Sequence, residues 1–186
     1  MKLDSFFDIF SKYPETDKAR NYSEAYETSF LGKREDVKLL FEIGVNNGGS
    51  VRGFKEFFPN AKIVGIEIDP RFYFEDERIS VEIGSATDSN FINGLLEKHG
   101  LPDVTIDDGS HRSADIKETY RLLYDKTKTC YVIEDYGTQY KEFEGGGYIT
   151  DGVPATNIAH NHVDDLFFNP SSKHINIYHS IFFMFK

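Results

Sequence analysis

This sequence predicts a doubly wound α/β fold built on a mainly parallel sheet. Two observations carry that prediction. Apolar runs alternate with segments of helical period from about residue 38 to residue 136, which is the rhythm of βαβ units. Five such runs, each followed by a helix-period segment or a turn, give enough strands for one sheet covered on both faces. At 186 residues the chain suits a single compact domain.

Residues 1–36, rich in Tyr and Phe, read as helical. Residues Val37–Gly44 form the first strand, and Ser50–Phe58 the helix after it, with Val51, Phe54 and Phe58 at helical spacing. Pro59-Asn60 ends that helix. The second strand is Ala61–Ile68 and the third Ile79–Ile83. Asp88 stands where an N-cap belongs, ahead of Phe91, Leu95 and Leu96, with Gly100 as the stop. The fourth strand is Pro102–Asp107, and Ser113–Leu123 is helical by Ile116, Tyr120 and Leu123. Thr129–Glu134 is the fifth strand. A Gly-, Asn- and His-rich tract from Gly145 to Asn169 is expected to be irregular, a lid or loop. One last strand, Ile175–Phe185, closes the sheet in antiparallel sense.

Composition excludes several classes of function. With 21 Lys+Arg against 31 Asp+Glu, the formal charge is −10, unsuited to a nucleic-acid partner, whose phosphates require clustered Lys and Arg. Cys130 is the single cysteine, which excludes an internal disulfide framework and agrees with a reducing, cytoplasmic setting. Asp4 and Asp8 interrupt the apolar run that a secretory leader needs, and no stretch is long enough to span a membrane. Self-association into a homo-oligomer is left open.

Ligands of open α/β sheets bind at the carboxyl ends of the strands. After the first strand comes Glu42-Ile-Gly44-Val-Asn-Asn-Gly48-Gly49-Ser50. Gly44 permits a sharp turn, and Gly48-Gly49 permit close backbone approach to a ligand at a helix N-terminus. The second strand ends in Glu67-Ile-Asp69, about twenty residues past the glycines, where a carboxylate can take both hydroxyls of a ribose. Glu67 is the better placed and Asp69 the second candidate. A nucleoside-like cofactor is the favoured ligand.

The fourth strand ends in Asp107-Asp108-Gly109-Ser110-His111 and the fifth in Glu134-Asp135. Neighbouring acid pairs repel one another unless a cation or a proton intervenes. A bound divalent metal is the expected remedy, and oxygen-rich ligation selects Mg²⁺, Mn²⁺ or Ca²⁺, with Fe²⁺ open because of the nearby His. One member of each pair, Asp107 or Glu134, is expected to face inward. His111 is suited to accept a proton from a substrate hydroxyl.

Five segments in order, Phe41–Ser50, Gly65–Asp69, Ile83–Asp88, Ile106–His111 and Tyr131–Asp135, resemble the class I S-adenosylmethionine-dependent methyltransferases, specifically the metal-dependent sugar O-methyltransferases of the macrocin, mycinamicin and rhamnosyl type. The likeness extends to Pro14–Lys18 with Tyr22 and Tyr26, and to Ile175–Ser180. It implies a Rossmann-like fold, with a helical cover over 1–36 and a cofactor-binding methyltransferase domain over 37–186.

By that resemblance Glu42, Gly44 and Gly48 hold the methionine part of S-adenosylmethionine, Glu67 the ribose, and Ser85 and Ala86 the adenine, with Asp88 nearby and Asp107 in the same cofactor-binding set. Asp108 and Asp135 hold Mg²⁺ or Mn²⁺, Asp108 counts with His111 as catalytic, and His111 takes the place of the general base. The implied acceptor is a sugar or glycosylated small molecule. The chain departs from the family in lacking the Pro-Gly-Gly turn before the fifth strand, where it has Asp125–Thr129, and is expected to lack a large N-terminal domain.

Thr16-Asp17-Lys18 and the Tyr22, Tyr26, Phe30 stripe read equally as a cover over the acceptor site or as an amphipathic helix packed on the sheet. His160 and His162 read as exposed loop residues. Two other readings stay open: an Fe(II)-dependent enzyme of the type labelled cephalosporin hydroxylase, and a non-catalytic nucleoside-binding module.

Overall fold

A computed structural model describes residues 3–137, 154–168 and 174–186. Three short helices open the chain: α1 (Phe6–Phe10), α2 (Lys18–Asn21) and α3 (Ser23–Ser29). The α/β body follows as β1 (Leu39–Ile43), α4 (Gly49–Phe57), β2 (Lys62–Glu67), β3 (Glu75–Asp76), β4 (Ile79–Ile83), α5 (Ser89–His99), β5 (Val104–Asp107), α6 (Ser113–Leu123) and β6 (Cys130–Glu134). Helix α7 (Thr156–Phe168) and the strands β7 (His174–Tyr178) and β8 (Ile181–Phe185) end it. The sheet order is β3-β4-β2-β1-β5-β6-β8-β7. Strands β4, β2, β1, β5 and β6 are parallel, and β3, β8 and β7 each run antiparallel to a neighbour.

Strand alternation divides the core into two layers and decides which way each acidic residue points. Leu40 of β1, Ile106 of β5 and Val132 of β6 face the layer that α1, α3 and α4 cover. Phe41, Ile43, Tyr131 and Ile133 face the layer covered by α5, α6 and α7. By the same parity Glu42 and Glu134 belong with the N-terminal helices, and Asp107 with α6. The N-terminal layer is aromatic: Phe6 stacks on Phe10 and Tyr26, Phe54 meets Phe10 edge-on, and Phe183 meets Tyr26. Each fully buried ring contributes about 1.5–3 kcal/mol by transfer from water, which makes residues 6–30 part of the core. The Tyr22, Tyr26, Phe30 stripe is therefore packed against the sheet, as one of the two readings holds.

Asp88 caps α5 as expected, accepting from the Asn90 and Phe91 amides, and Gly100 ends that helix at φ 90°. Two expectations are corrected. The last strand is a hairpin: the chain reverses at His179-Ser180, where Ser180 has φ 62°, so that β8 inserts between β6 and β7. The tract Gly145–Asn169 is not irregular throughout, because Thr156–Phe168 is helical, with Ile158 and Ala159 buried against the sheet. Residues 145–153 and 169 lie outside the described residues. His160 is exposed, but His162 is not a free loop residue, since its Nε2 lies 2.7 Å from the Tyr120 hydroxyl. Among the described residues no helix is long and apolar enough to cross a membrane.

Candidate active site

A cavity of about 1020 Å³ lies along the carboxyl ends of the parallel strands. One side is formed by Gly44, Glu67, Ile68, Ser85 and Ala86, and the other by Asp107, Asp108, His111 and Asp135. Phe7, Phe10, Tyr13 and Thr16 supply the N-terminal wall.

The turn after β1 requires its first glycine. Gly44 has φ 89°, and a Cβ there would stand 2.1 Å from the Asp108 carbonyl oxygen. A Cβ at Gly48 would meet the Phe74 ring and the Arg52 guanidinium, and one at Gly49 would meet Glu15 and Thr16. Gly49 lines the cavity, and Gly48 stands outside the lining.

Glu67 fixes this turn from below. Its Oε2 accepts from the Val45 and Asn46 amides at 3.0 and 2.9 Å, and its Oε1 from the Ile68 and Asp69 amides at 2.8 and 3.0 Å. Ser85 and Ala86 line the same end. Asp69 and Asp88 stand outside the lining. Asp69 is turned onto the Arg71 backbone and guanidinium, and Asp88 is occupied as the α5 cap. Glu42 is wholly buried beneath the turn rather than in the wall, because it shares the face of Leu40. Burial pushes its carboxyl up to about 8, against the lowering field of Lys18.

At the other end each acid pair splits in burial: Asp107 and Glu134 are buried, Asp107 still bordering the cavity, and Asp108 and Asp135 are partly exposed to it. Asp107, 3% exposed, accepts from the Thr119 hydroxyl of α6 and, at 3.5 Å, from the Tyr131 hydroxyl. Burial raises its carboxyl to about 6, with the Thr119 bond opposing. Glu134 is as deeply buried and accepts from the Tyr26 hydroxyl and the Lys18 ammonium. Asp108 and Asp135 face the cavity. The Asp135 Oδ1 accepts from the Tyr22 hydroxyl at 2.5 Å. Asp108, His111 and Asp135 each offer a ligand atom within 4.8 Å of the other two.

His111 and Asp135 adopt left-handed backbone, φ 57° and 50°, an unusual conformation for side-chain-bearing residues that concentrates at functional sites. The turn carrying His111 is held by Ser110, whose hydroxyl donates to Asp115 at 2.6 Å and accepts from the Arg112 amide. His111 Nε2 lies 3.9 Å from Asp108 Oδ1. One imidazole and two carboxylates do not make the facial triad of non-haem iron oxygenases, which needs two His and one carboxylate.

The cation that offsets the inner acids is one sequence reasoning did not assign to them. Lys18, 3% exposed, places its Nζ 2.5 Å from Asp108 Oδ2 and in contact with Glu134 Oε2. Burial pulls the ammonium toward neutrality, but Asp108, Glu134 and Glu42 outweigh it and hold its pKa well above the usual lysine range. The signal was the spacing: Lys18, Tyr22 and Tyr26 recur every four residues; Lys18 meets Asp108 and Glu134, Tyr22 meets Asp135 and Tyr26 meets Glu134.

No family model matches this chain. It is 29% identical over 156 residues to 8-demethyl-8-(2-methoxy-alpha-L-rhamnosyl)-tetracenomycin-C 3'-O-methyltransferase of Streptomyces olivaceus, covering 78% of this chain and 40% of that protein. It is 31% identical over 134 residues to mycinamicin VI 2''-O-methyltransferase of Micromonospora griseorubida, covering 67% and 34%. The solved structure of MycE, a methyltransferase of the mycinamycin biosynthetic pathway in complex with Mg, SAH and mycinamycin VI, matches with a TM-score of 0.82 at 24% identity, over 98% of this chain and 54% of that one. The chain belongs to the class I S-adenosylmethionine-dependent methyltransferases. Within that class its sequence relatives are the sugar O-methyltransferases, and it spans less than half the length of those it matches here.

Proposed function

We propose that the chain is an S-adenosylmethionine-dependent, divalent-metal-assisted O-methyltransferase acting on a hydroxyl of a sugar or similar diol-bearing small molecule. The observation that carries this reading is the cavity, with the Gly44 turn and Glu67 at one end and Asp108, His111 and Asp135 at the other. Asp108 and Asp135 fit a hard divalent cation, Mg²⁺ or Mn²⁺, because carboxylate oxygens suit such ions better than they suit zinc. When bound, S-adenosylmethionine supplies an electrophilic methyl group and the cation makes a coordinated hydroxyl more acidic.

The remaining steps belong to the chain's own residues. His111 receives the hydroxyl proton at Nε2, which lies 3.9 Å from Asp108 Oδ1. Glu67 orders the glycine turn and presents its carboxylate to the ribose. Ser85 and Ala86 border the adenine. Phe7 and Tyr13 offer apolar rings to the body of the acceptor. A cytoplasmic setting agrees with the single buried thiol of Cys130.

Two results test this. S-adenosylhomocysteine is expected to bind in calorimetry, and Glu67→Ala to weaken it by about 1–3 kcal/mol through loss of charge-assisted hydrogen bonds; equal affinity would overturn the ribose assignment. Methyl transfer to a sugar-bearing acceptor is expected to stop in EDTA and to return with Mg²⁺ or Mn²⁺. Asp135→Asn is expected to lose turnover while still binding S-adenosylhomocysteine. Full turnover in chelator would exclude the metal-assisted route.

A further inference from the structure

Helix α4 carries Gly49, Gly53 and Glu56 on one face, at helical spacing, and each of the three receives part of the N-terminal segment. A Cβ at Gly53 would stand 2.6 Å from the Phe10 ring, and one at Gly49 would stand 3.2 Å from the Glu15 Cβ and 3.4 Å from the Thr16 Cγ2. Glu56, at the far end of the stripe, accepts from the Tyr13 hydroxyl on Oε1 and from the Lys12 ammonium on Oε2, the latter at 2.6 Å. Tyr13, Glu15 and Thr16 line the cavity, whereas Glu56 stands outside the lining. Burial alone would raise the Glu56 carboxyl, but the bonds from Lys12 and Tyr13 outweigh it and hold it below the usual range. The phenol therefore donates to a charged acceptor, the stronger kind of hydrogen bond. Burial, with Glu56 beside it, pushes the Tyr13 phenol up to about 12, so the proton stays on the hydroxyl. That hydroxyl is spent on α4, and what Tyr13 leaves for the cavity is its ring.

We propose that Glu56 is a positioning residue for the acceptor: through the Tyr13 hydroxyl it fixes the ring that forms part of the acceptor wall, and so sets acceptor affinity from outside the cavity. Gly49 and Gly53 let the segment lie close enough on α4 for that bond to form. One helix thus serves both ligands, its first residue following the glycine turn and its last turn holding the opposite wall. The proposal rests on the acceptor reading of the cavity given above.

The test uses the full chain with S-adenosylhomocysteine and Mg²⁺ present, and takes the 4-nitrophenyl glycosides of rhamnose, glucose and galactose as binding probes. Methyl transfer from S-adenosylmethionine is then followed on whichever glycoside binds. Glu56→Ala is expected to weaken glycoside binding and raise KM by about 3- to 10-fold, the scale of one lost hydrogen bond, with kcat and S-adenosylhomocysteine affinity near those of the wild type. Tyr13→Phe is expected to show the same loss, and the double variant no more than either single one, because both substitutions remove one bond. Glu56→Gln, which keeps an oxygen for the phenol, is expected to recover most of the affinity. Additive losses in the double variant, or glycoside binding by Glu56→Ala as tight as that of the wild type, would overturn the proposal alone. So would a loss that falls equally on melting temperature and S-adenosylhomocysteine affinity, which is what a merely structural Glu56 would give. A wild type that binds S-adenosylhomocysteine but none of the three glycosides would overturn the acceptor reading and this proposal together.

Discussion

His111→Ala is expected to lower kcat by about 10²- to 10⁴-fold, the usual contribution of a general base, with S-adenosylhomocysteine affinity near that of the wild type. The imidazole lines the cavity, its ring held there by a left-handed backbone and by the Ser110 bonds on either side of it. Single-turnover methyl transfer is the measurement to use, because slow product release would mask a loss in the chemical step. His111 also lies within the group that could hold a cation, so Mn²⁺ affinity should be read on the same variant. A fall in Mn²⁺ affinity that tracks the fall in rate would make His111 a ligand rather than a base. Wild-type single-turnover rates at every pH near neutrality would remove it from the mechanism.

Gly44→Ala is expected to be among the most destabilising single substitutions in the chain. The new methyl would meet the Asp108 carbonyl oxygen at 2.1 Å and its carbon at 2.9 Å, on a residue at φ 89°. Left-handed strain and overpacking each cost about 1–3 kcal/mol. Together they amount to about 2–6 kcal/mol, a large part of the 5–15 kcal/mol typical of a folded domain. The atoms that must yield are backbone atoms of a proposed metal-binding residue. A denaturant midpoint far below the wild type, together with weakened Mn²⁺ binding in whatever fraction folds, is the expected pair of results. A wild-type midpoint would show that the turn can shift at little cost.

Gly44, Glu67, Asp108, His111 and Asp135 were legible in the sequence because each ends a strand or opens the turn after one. The period of apolar residues locates those ends to within two residues: Ile79–Ile83 and Ser113–Leu123 match their observed bounds, and Val37–Gly44 shortens to Leu39–Ile43. Alternation alone gives the layer that Asp107 and Glu134 each face. What could not be read is long-range. The four-residue spacing of Lys18, Tyr22 and Tyr26 marks one face, but not that the Lys18 ammonium on it meets acids 90 and 116 residues away. The hairpin at His179-Ser180 was missed because residues 175–185 alternate without a glycine or proline to mark the reversal. Helix α7 was missed because Asn and His, poor helix formers, fill its first turns and hide the buried Ile158 and Ala159.

The tie between Lys18 and Glu134 also bears on how a nascent chain acquires this site. Emerging from the ribosome N-terminus first, the chain carries its lysine for 116 residues before that partner has been made. The ring of Tyr26 waits longer still, since Phe183, which it meets edge-on, lies in β8. Contacts of such separation are slow to close. The acids can therefore be held together only once the chain has passed residue 134, and a chain without Ile181–Phe185 would lack the Phe183 ring that covers one side of Tyr26 and Phe30.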